Sequence, residues 1–423
     1  MRKPWSDCWS VNSNFGVIVS ESFSVRANLF STVSVGSQRL TVALFTIAAF
    51  LYWVALYLYV PTLPTYVQSK THDLALVGTV LSMYGLWQAF IRLPLGITVD
   101  WLGWRKPFII IGLGLVGLGA WTMGTTGSVN GLTIGRAITG LAAGTWVLLV
   151  VGFTSLFPPQ EAVRASAALT LCSSIARMVA TSVTGLLNEV GGYSLAFFLA
   201  TGVAALAILI ISLIPEQRRS PKWPSVGSLG HLVTRRDVLL PALLAAVGQY
   251  ADWAITFGFM PVLAEQLGGT GVTQSILVTL NLVVLSLGNL MTSSIINRVG
   301  ARRLVTLSFG LLSVGIGIAA LAPSLWVLFV AQACLGLSLG VGYPVLMGLS
   351  IQNVADAERT TAMGLYQSVY ALGMFGGPWL SGILAAAIGI QPMFGVTAFA
   401  CLALGLLGTR WLAEKRGDPV SAR

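Results

Sequence analysis

The sequence predicts an all-α membrane protein: twelve transmembrane helices in two pseudo-symmetric six-helix bundles, with both termini cytoplasmic. Three observations predict it. Of 423 residues, 55% are apolar and only 9% are charged, and the mean hydropathy is +0.82. A soluble domain carries about 25% charged residues, so this chain cannot coat a water-facing surface, and a soluble enzyme is excluded. Next, twelve runs approach the roughly 20 apolar residues that cross a bilayer. Finally, the basic residues fall on one side of those runs.

The runs lie near 41–63, 74–99, 107–125, 132–153, 165–187, 194–213, 238–263, 275–296, 304–321, 325–350, 361–388 and 393–412. Gly and Pro within them are compatible with lipid-embedded helices. The first run is expected to remain as a span, since no small-residue cleavage pattern follows it. Residues 1–40 are polar and aperiodic and read as a flexible cytoplasmic tail, partly amphipathic around Phe23–Phe30. The segment 215–237, rich in Pro, Ser and Arg, reads as a cytoplasmic linker between bundles at 41–214 and 238–413, and 414–423 forms a second tail.

With both termini inside, Lys70 alone among the 24 lysines and arginines falls outside, and Arg136 and Arg177 fall within spans. The others, Arg92 among them, are placed in cytoplasmic tails or loops or at helix ends, which sets the orientation. The net charge of +10 therefore belongs to the inner membrane face and not to a nucleic-acid surface. Cys8, Cys172, Cys334 and Cys401 are scattered without metal or redox spacing and read as packing residues. No metal site and no cofactor is expected.

Charges inside a span cost at least about 2.5–3.5 kcal/mol at a helix centre and are functional by default. Asp252 lies mid-span seven, on one face with Gln249 and Thr256. Arg177 lies mid-span five along a Ser/Thr stripe, and Arg136 lies in the outer half of span four. Asp252 is the one acid near a midplane, with Arg177 or Arg136 as its electrostatic counterpart; a static buried pair that only fixes packing is the competing account. Aromatic residues recur on span one (Tyr52, Trp53, Tyr57, Tyr59), span seven (Tyr250, Trp253, Phe257) and span eleven (Tyr366, Tyr370, beside Gln367). They could ring a solute or serve as interfacial packing. Gly336-Leu-Ser338-Leu-Gly340 imitates a hydrolase elbow but lies in a span with no intramembrane histidine to act as base.

The chain also repeats. Asp100/Asn297, Gly103/Gly300, Arg105/Arg302 and Lys106/Arg303 share an offset of 197, as do Arg92/Asn289. Arg136, Gly140 and Gly144 match Gln332, Gly336 and Gly340 at 196; Trp53/Trp253 and Pro61/Pro261 match at 200. Ordered coincidences at three places imply two homologous halves.

Over roughly 41–413 the sequence resembles the major facilitator superfamily of secondary transporters. Gly96, Asp100, Gly103, Arg105 and Lys106 are similar to its G-x-x-x-D-x-x-G-R-[RK]-[RK] loop signature, with Trp104 departing from it. The resemblance implies that this loop is a cytoplasmic gating latch. Arg136 with Gly140 resembles the span-four motif of proton-coupled members. The antiporter signature of span five is missing, and a look-alike, Gly373-x-x-x-Gly377-Pro378-x-x-Ser381-Gly382, sits on span eleven. The resemblance implies alternating access to a cavity between the halves, near the bilayer midplane, with Tyr52, Gln249, Thr256, Gln332, Gln367 and Tyr370 as candidate lining.

The leading expectation is proton-coupled export of amphipathic drugs or metabolites. The alternative is proton-coupled uptake of a small organic solute, with Arg136 and Arg177 holding a carboxylate. A non-transporting scaffold or sensor is the third reading. The expected partners are a small-molecule substrate, protons and the lipid bilayer of the plasma membrane, with no nucleic acid, and the chain is expected to be a monomer.

Overall fold

The computed structural model describes residues 35–216, 226–355 and 358–412; the amino-terminal tail, the centre of the linker and the carboxy-terminal tail lie outside the described residues. Those described are helical throughout, with no strand. In chain order the helices are α1 (Val35–Tyr57), α2 (Leu63–Gln68), α3 (Leu74–Leu102), α4 (Lys106–Thr125), α5 (Val129–Ala143), α6 (Trp146–Thr154) and α7 (Ala162–Leu213). There follow α8 (Val226–Thr234), α9 (Arg236–Ala254), α10 (Met260–Gln266), α11 (Gly271–Val299), α12 (Ala301–Ala320), α13 (Leu325–Ile351), α14 (Arg359–Ile388) and α15 (Ile390–Arg410).

Among the described residues, eleven helical segments are long and apolar enough to cross a membrane. The difference from the twelve expected lies at α7, which runs 52 residues, about 78 Å at 1.5 Å per residue, against a hydrocarbon core of about 30 Å. It is interrupted at Gly191 (φ −138°, ψ 17°) and Gly192 (φ 69°, ψ 179°). Gly192 adopts a backbone region nearly closed to side-chain-bearing residues, and so does Gly389 (φ 89°, ψ 165°) between α14 and α15. These two glycines stand 197 positions apart, as do the positive-φ turns Gly103 and Gly300.

Polar caps fix several helix starts. The Asp73 carboxylate accepts from the Ala75 N–H at 2.8 Å, and the Ser128 hydroxyl from the Gly131 N–H at 3.2 Å; Thr270 and Thr273 form a reciprocal capping box. The linker differs from expectation, for α8 lies within it. Leu232 of α8 is buried with Val238, Val354, Ala362 and Leu365, so the helix packs on the start of α14. A short apolar face hidden in a polar composition accounts for the difference.

Packing follows one scheme twice. Helix α1 packs on α7 as α9 packs on α14; α3 on α5 as α11 on α13; α4 on α5 as α12 on α13. Between these two groups the main contacts are α3 with α14 and α7 with α11. Where α5 crosses α3, a Cβ on Gly140 would strike the Tyr84 backbone; where α13 crosses α11, one on Gly336 would strike the Asn281 backbone. Small residues permit such approach where no hydrophobic effect drives helices together. The outer surface is strongly apolar, with Phe90, Trp121, Leu209, Trp326 and Phe399 exposed.

Hydrogen bonds stitch the two groups together at the end near Asp73 and Thr270. Thr65 Oγ1 donates to Gln274 Oε1 (3.1 Å), Thr181 and Thr279 share a bond (2.8 Å), and the Gly185 N–H donates to Ser275 Oγ (2.7 Å). Gly78 of α3 lies against the backbone of Pro378 and Gly382 in α14 at this same end.

Candidate functional site

Midway along the seam between the two groups, aromatic rings meet. Tyr84 of α3 stacks on Trp253 of α9 (centroids 5.0 Å apart, 17°), and Tyr57 of α1 meets Phe257 edge-on (6.0 Å). Phe257 belongs to a π-helical turn, Ile255–Phe259, that interrupts α9 before α10; such turns are frequent at functional sites. Among these rings lie the charges. Arg136 is 1% exposed and sits over the Tyr84 ring at 4.6 Å. Arg177 sits over Trp53 (5.2 Å) and Tyr57 (5.7 Å) and donates to Ser174 Oγ at 3.3 Å. Asp252 is 5% exposed, and its Oδ1 accepts no hydrogen bond. Its polar neighbours are the Thr256 hydroxyl and Arg177, yet among the described residues no ion pair joins it to an arginine. Tyr57 lies within electrostatic reach of Asp252, Arg177 and Arg136 together.

Arg92 corrects the sequence reading. Placed there among helix-end cations, it is 8% exposed and lies well inside α3. Its Nη1 donates to the Tyr370 hydroxyl at 2.5 Å and to the Gln367 carbonyl at 3.4 Å, with the guanidinium over the Tyr370 ring at 5.0 Å. Tyr370 in turn packs with Tyr343 and Tyr366 (5.9 and 5.8 Å). Arg92 thus reaches across the seam from α3 to α14. One signal could have found it: Tyr84, Gln88 and Arg92 follow at intervals of four, a single helical face.

The other lining candidates divide. Thr256, Gln332 and Asn281 form a buried amide–hydroxyl network between α9's continuation, α13 and α11. Thr256 Oγ1 donates to Gln332 Oε1 (3.2 Å), as does Asn281 Nδ2 (3.2 Å). Asn281 did not stand out in the sequence, because a lone Asn in an apolar run gives no partner. Tyr52 donates its hydroxyl to the Ala142 carbonyl (3.1 Å) and stacks near Trp146 (6.5 Å). Gln249 lines a recess bounded by Ser308, Phe309 and Tyr343, inside the second group rather than on the seam rings.

The family model described as Major Facilitator Superfamily matches residues 45–248 and again 242–423. The chain belongs to the Major Facilitator Superfamily. It is an integral, multi-pass protein of the plasma membrane and a member of a family of transporters, not of enzymes. It is 28% identical over 186 residues to the inner membrane transport protein YajR of Escherichia coli, covering 43% of this chain and 40% of that one. A chloramphenicol efflux pump of Mycobacterium tuberculosis is 30% identical over 173 residues, 40% of this chain and 41% of the pump. The chain thus spans about two-fifths of the length of these curated relatives. The crystal structure of the nucleoside transporter NupG shares the fold with a TM-score of 0.70 at 17% identity, over 89% of this chain and 100% of that one.

The superfamily's loop signature lies far from the seam rings, at the α3–α4 turn. Gly103 caps α3 in left-handed conformation, and its N–H donates to the Val99 carbonyl. Lys106 Nζ donates to the carbonyls of Ser212 and Ile214 (2.8 and 2.6 Å), capping the carboxyl end of α7. Arg105 lines a recess with Lys106, Phe45 and Glu216. Asp100 lies in the last turn of α3, while its side chain is outside the described set. Gly96 has open space around it. The antiporter look-alike on α14 is a packing stripe: Gly373 and Gly377 lie on the backbones of Ala246 and Tyr250, and Gly382 on those of Leu74 and Gly78. The hydrolase look-alike is likewise internal to α13, where Ser338 and Ser308 exchange hydrogen bonds of 2.9 Å.

Proposed function

We propose that the protein is a secondary transporter that works by alternating access and couples the export of amphipathic solutes to protons through Asp252. One observation carries the coupling assignment: a seam carboxylate, buried, with an unpartnered oxygen, beside an arginine of the opposite group that it does not ion-pair. A static pair would close that distance and satisfy both partners, because an unpaired buried charge is costly. Here burial and Arg177 pull the protonation of Asp252 in opposite senses. Rocking of one group against the other changes both influences at once, which loads or releases a proton. Substrate binding and protonation then act on one charge balance and need no second acid.

Twelve crossings follow when the two arms of α7 are counted separately, as the pairing of Gly192 with Gly389 supports. The bundles at 41–214 and 238–413, with 215–237 between them and both termini cytoplasmic, are the moving bodies. The α3–α4 turn, with Asp100, Gly103, Arg105 and Lys106, acts as the cytoplasmic latch. Export is favoured over uptake by the aromatic seam and by efflux pumps among the relatives.

Asp252→Asn tests the coupling, since it keeps shape and removes titration. In proteoliposomes the variant should exchange substrate across the membrane at near-normal rates but build no gradient when a pH difference is imposed. Gradient-driven accumulation at the unmodified protein's rate would remove Asp252 from the mechanism.

A further inference from the structure

The charges in the seam do not balance. Among the described residues, Arg92, Arg136 and Arg177 stand against one carboxylate, Asp252. An arginine cannot shed its proton inside a protein, so all three remain cationic. Each retains an unpartnered Nε. Their partners are neutral: Tyr84 for Arg136, Trp53, Tyr57 and Ser174 for Arg177, and Tyr370 with the Gln367 carbonyl for Arg92. Cation–π contact and hydroxyl bonds soften the burial of a cation without cancelling its charge. Even with Asp252 ionised, an excess of positive charge stays in a low-dielectric seam.

We propose that this seam binds an aromatic or amphipathic anion, a ring-bearing carboxylate, whose charge supplies the counter-ion that the protein withholds. The proposal rests on the transport reading above and deepens it by naming the class of cargo. A guanidinium offers parallel N–H donors that match a carboxylate, and the orphaned Nε atoms are those donors. The rings around them, Trp53, Tyr57, Tyr84 and Trp253, pack on one another and on the guanidiniums, and they form the apolar surround that the ring of such a ligand would enter when the two groups part. A cationic drug would meet the opposite situation, since like charge in a desolvated site repels. An anion carried outward also moves with the inside-negative membrane potential.

The test compares three ligands of one shape with the purified full-length protein: 2-naphthoate, 2-naphthamide and 2-naphthylmethylammonium. Calorimetry should show 2-naphthoate binding at least about tenfold more tightly than the amide, as one charge-assisted bond implies, and the cation binding most weakly. Arg136→Gln should remove that preference, while Arg136→Lys should keep it. Should Arg136→Gln fail to fold, Arg92→Gln serves as the second variant. Equal or tighter binding of the amide or the cation overturns the proposal, as does a preference for 2-naphthoate that survives both Gln variants, or binding of none of the three.

Flux separates this proposal from the reading beneath it. If 2-naphthoate binds with arginine dependence but never crosses proteoliposomes, the anion site stands and the transport reading falls. If the cation crosses and 2-naphthoate does not bind, the reverse holds.

Discussion

Arg136 and Gln332 occupy equivalent places on α5 and α13, and the residues that face them, Tyr84 and Asn281, are themselves equivalent on α3 and α11. The scaffold beneath the two pairs is the same, because Gly140 and Gly336 bring the same helices into backbone contact. The chemistry is not. The first half holds a cation over an aromatic face; the second holds a neutral amide whose oxygen accepts from Asn281 and Thr256; in each, one side-chain nitrogen is left without a partner. Span one and span seven differ in the same way, for Tyr52 matches Asp252 at the offset that aligns Trp53 with Trp253. One half supplies fixed positive charge and the other supplies the titratable group. Packing between helices constrains size and approach but says little about charge, so two copies of one fold could diverge in electrostatics while keeping their contacts.

The largest effect should come from the shared scaffold. Gly140→Leu and Gly336→Leu each drive a side chain into backbone, beyond the roughly 1–3 kcal/mol of ordinary overpacking. Both should abolish recovery of monodisperse protein in detergent. A variant of one half that is recovered normally would break the equivalence of the two crossings.

Exchanging the chemistry between halves should be asymmetric. Gln332→Arg places a cation among amide and hydroxyl partners, at a cost of at least about 2.5–3.5 kcal/mol, and thermal unfolding should register it clearly. Arg136→Gln removes a cation that no acid compensates, and its unfolding temperature should stay close to that of the unmodified protein. Equal losses in the two variants would mean that Arg136 is structural after all.

The smallest effect concerns the breaks at Gly192 and Gly389. Alanine at either must adopt a backbone region that costs about 1–3 kcal/mol. Matching modest decreases in unfolding temperature are expected, and a loss at Gly389 alone would show that α7 tolerates continuity where α14 and α15 do not.

Composition and run lengths determined the membrane-spanning, all-helical class, since a chain 9% charged must satisfy its backbone in lipid as helices or as a closed barrel, and continuous apolar runs of about 20 residues fit helices and not strands of about ten. Fixed offsets made the repeat legible, because Gly103 and Gly300 are held by local backbone geometry and local requirements are written in place. Asp252, Arg136 and Arg177 stood out for a related reason: charge is conspicuous in an apolar run. The partners of those charges were not legible. That Arg136 lies over Tyr84, that Asp252 has no ion pair among the described residues, and that Arg92 leaves the helix-end cations to reach Tyr370 across 278 positions depends on how helices rotate and approach one another. Rotation is set by the sum of many weak contacts along each crossing, a sum that no single position of the sequence carries, so the tertiary structure alone decided which charges meet.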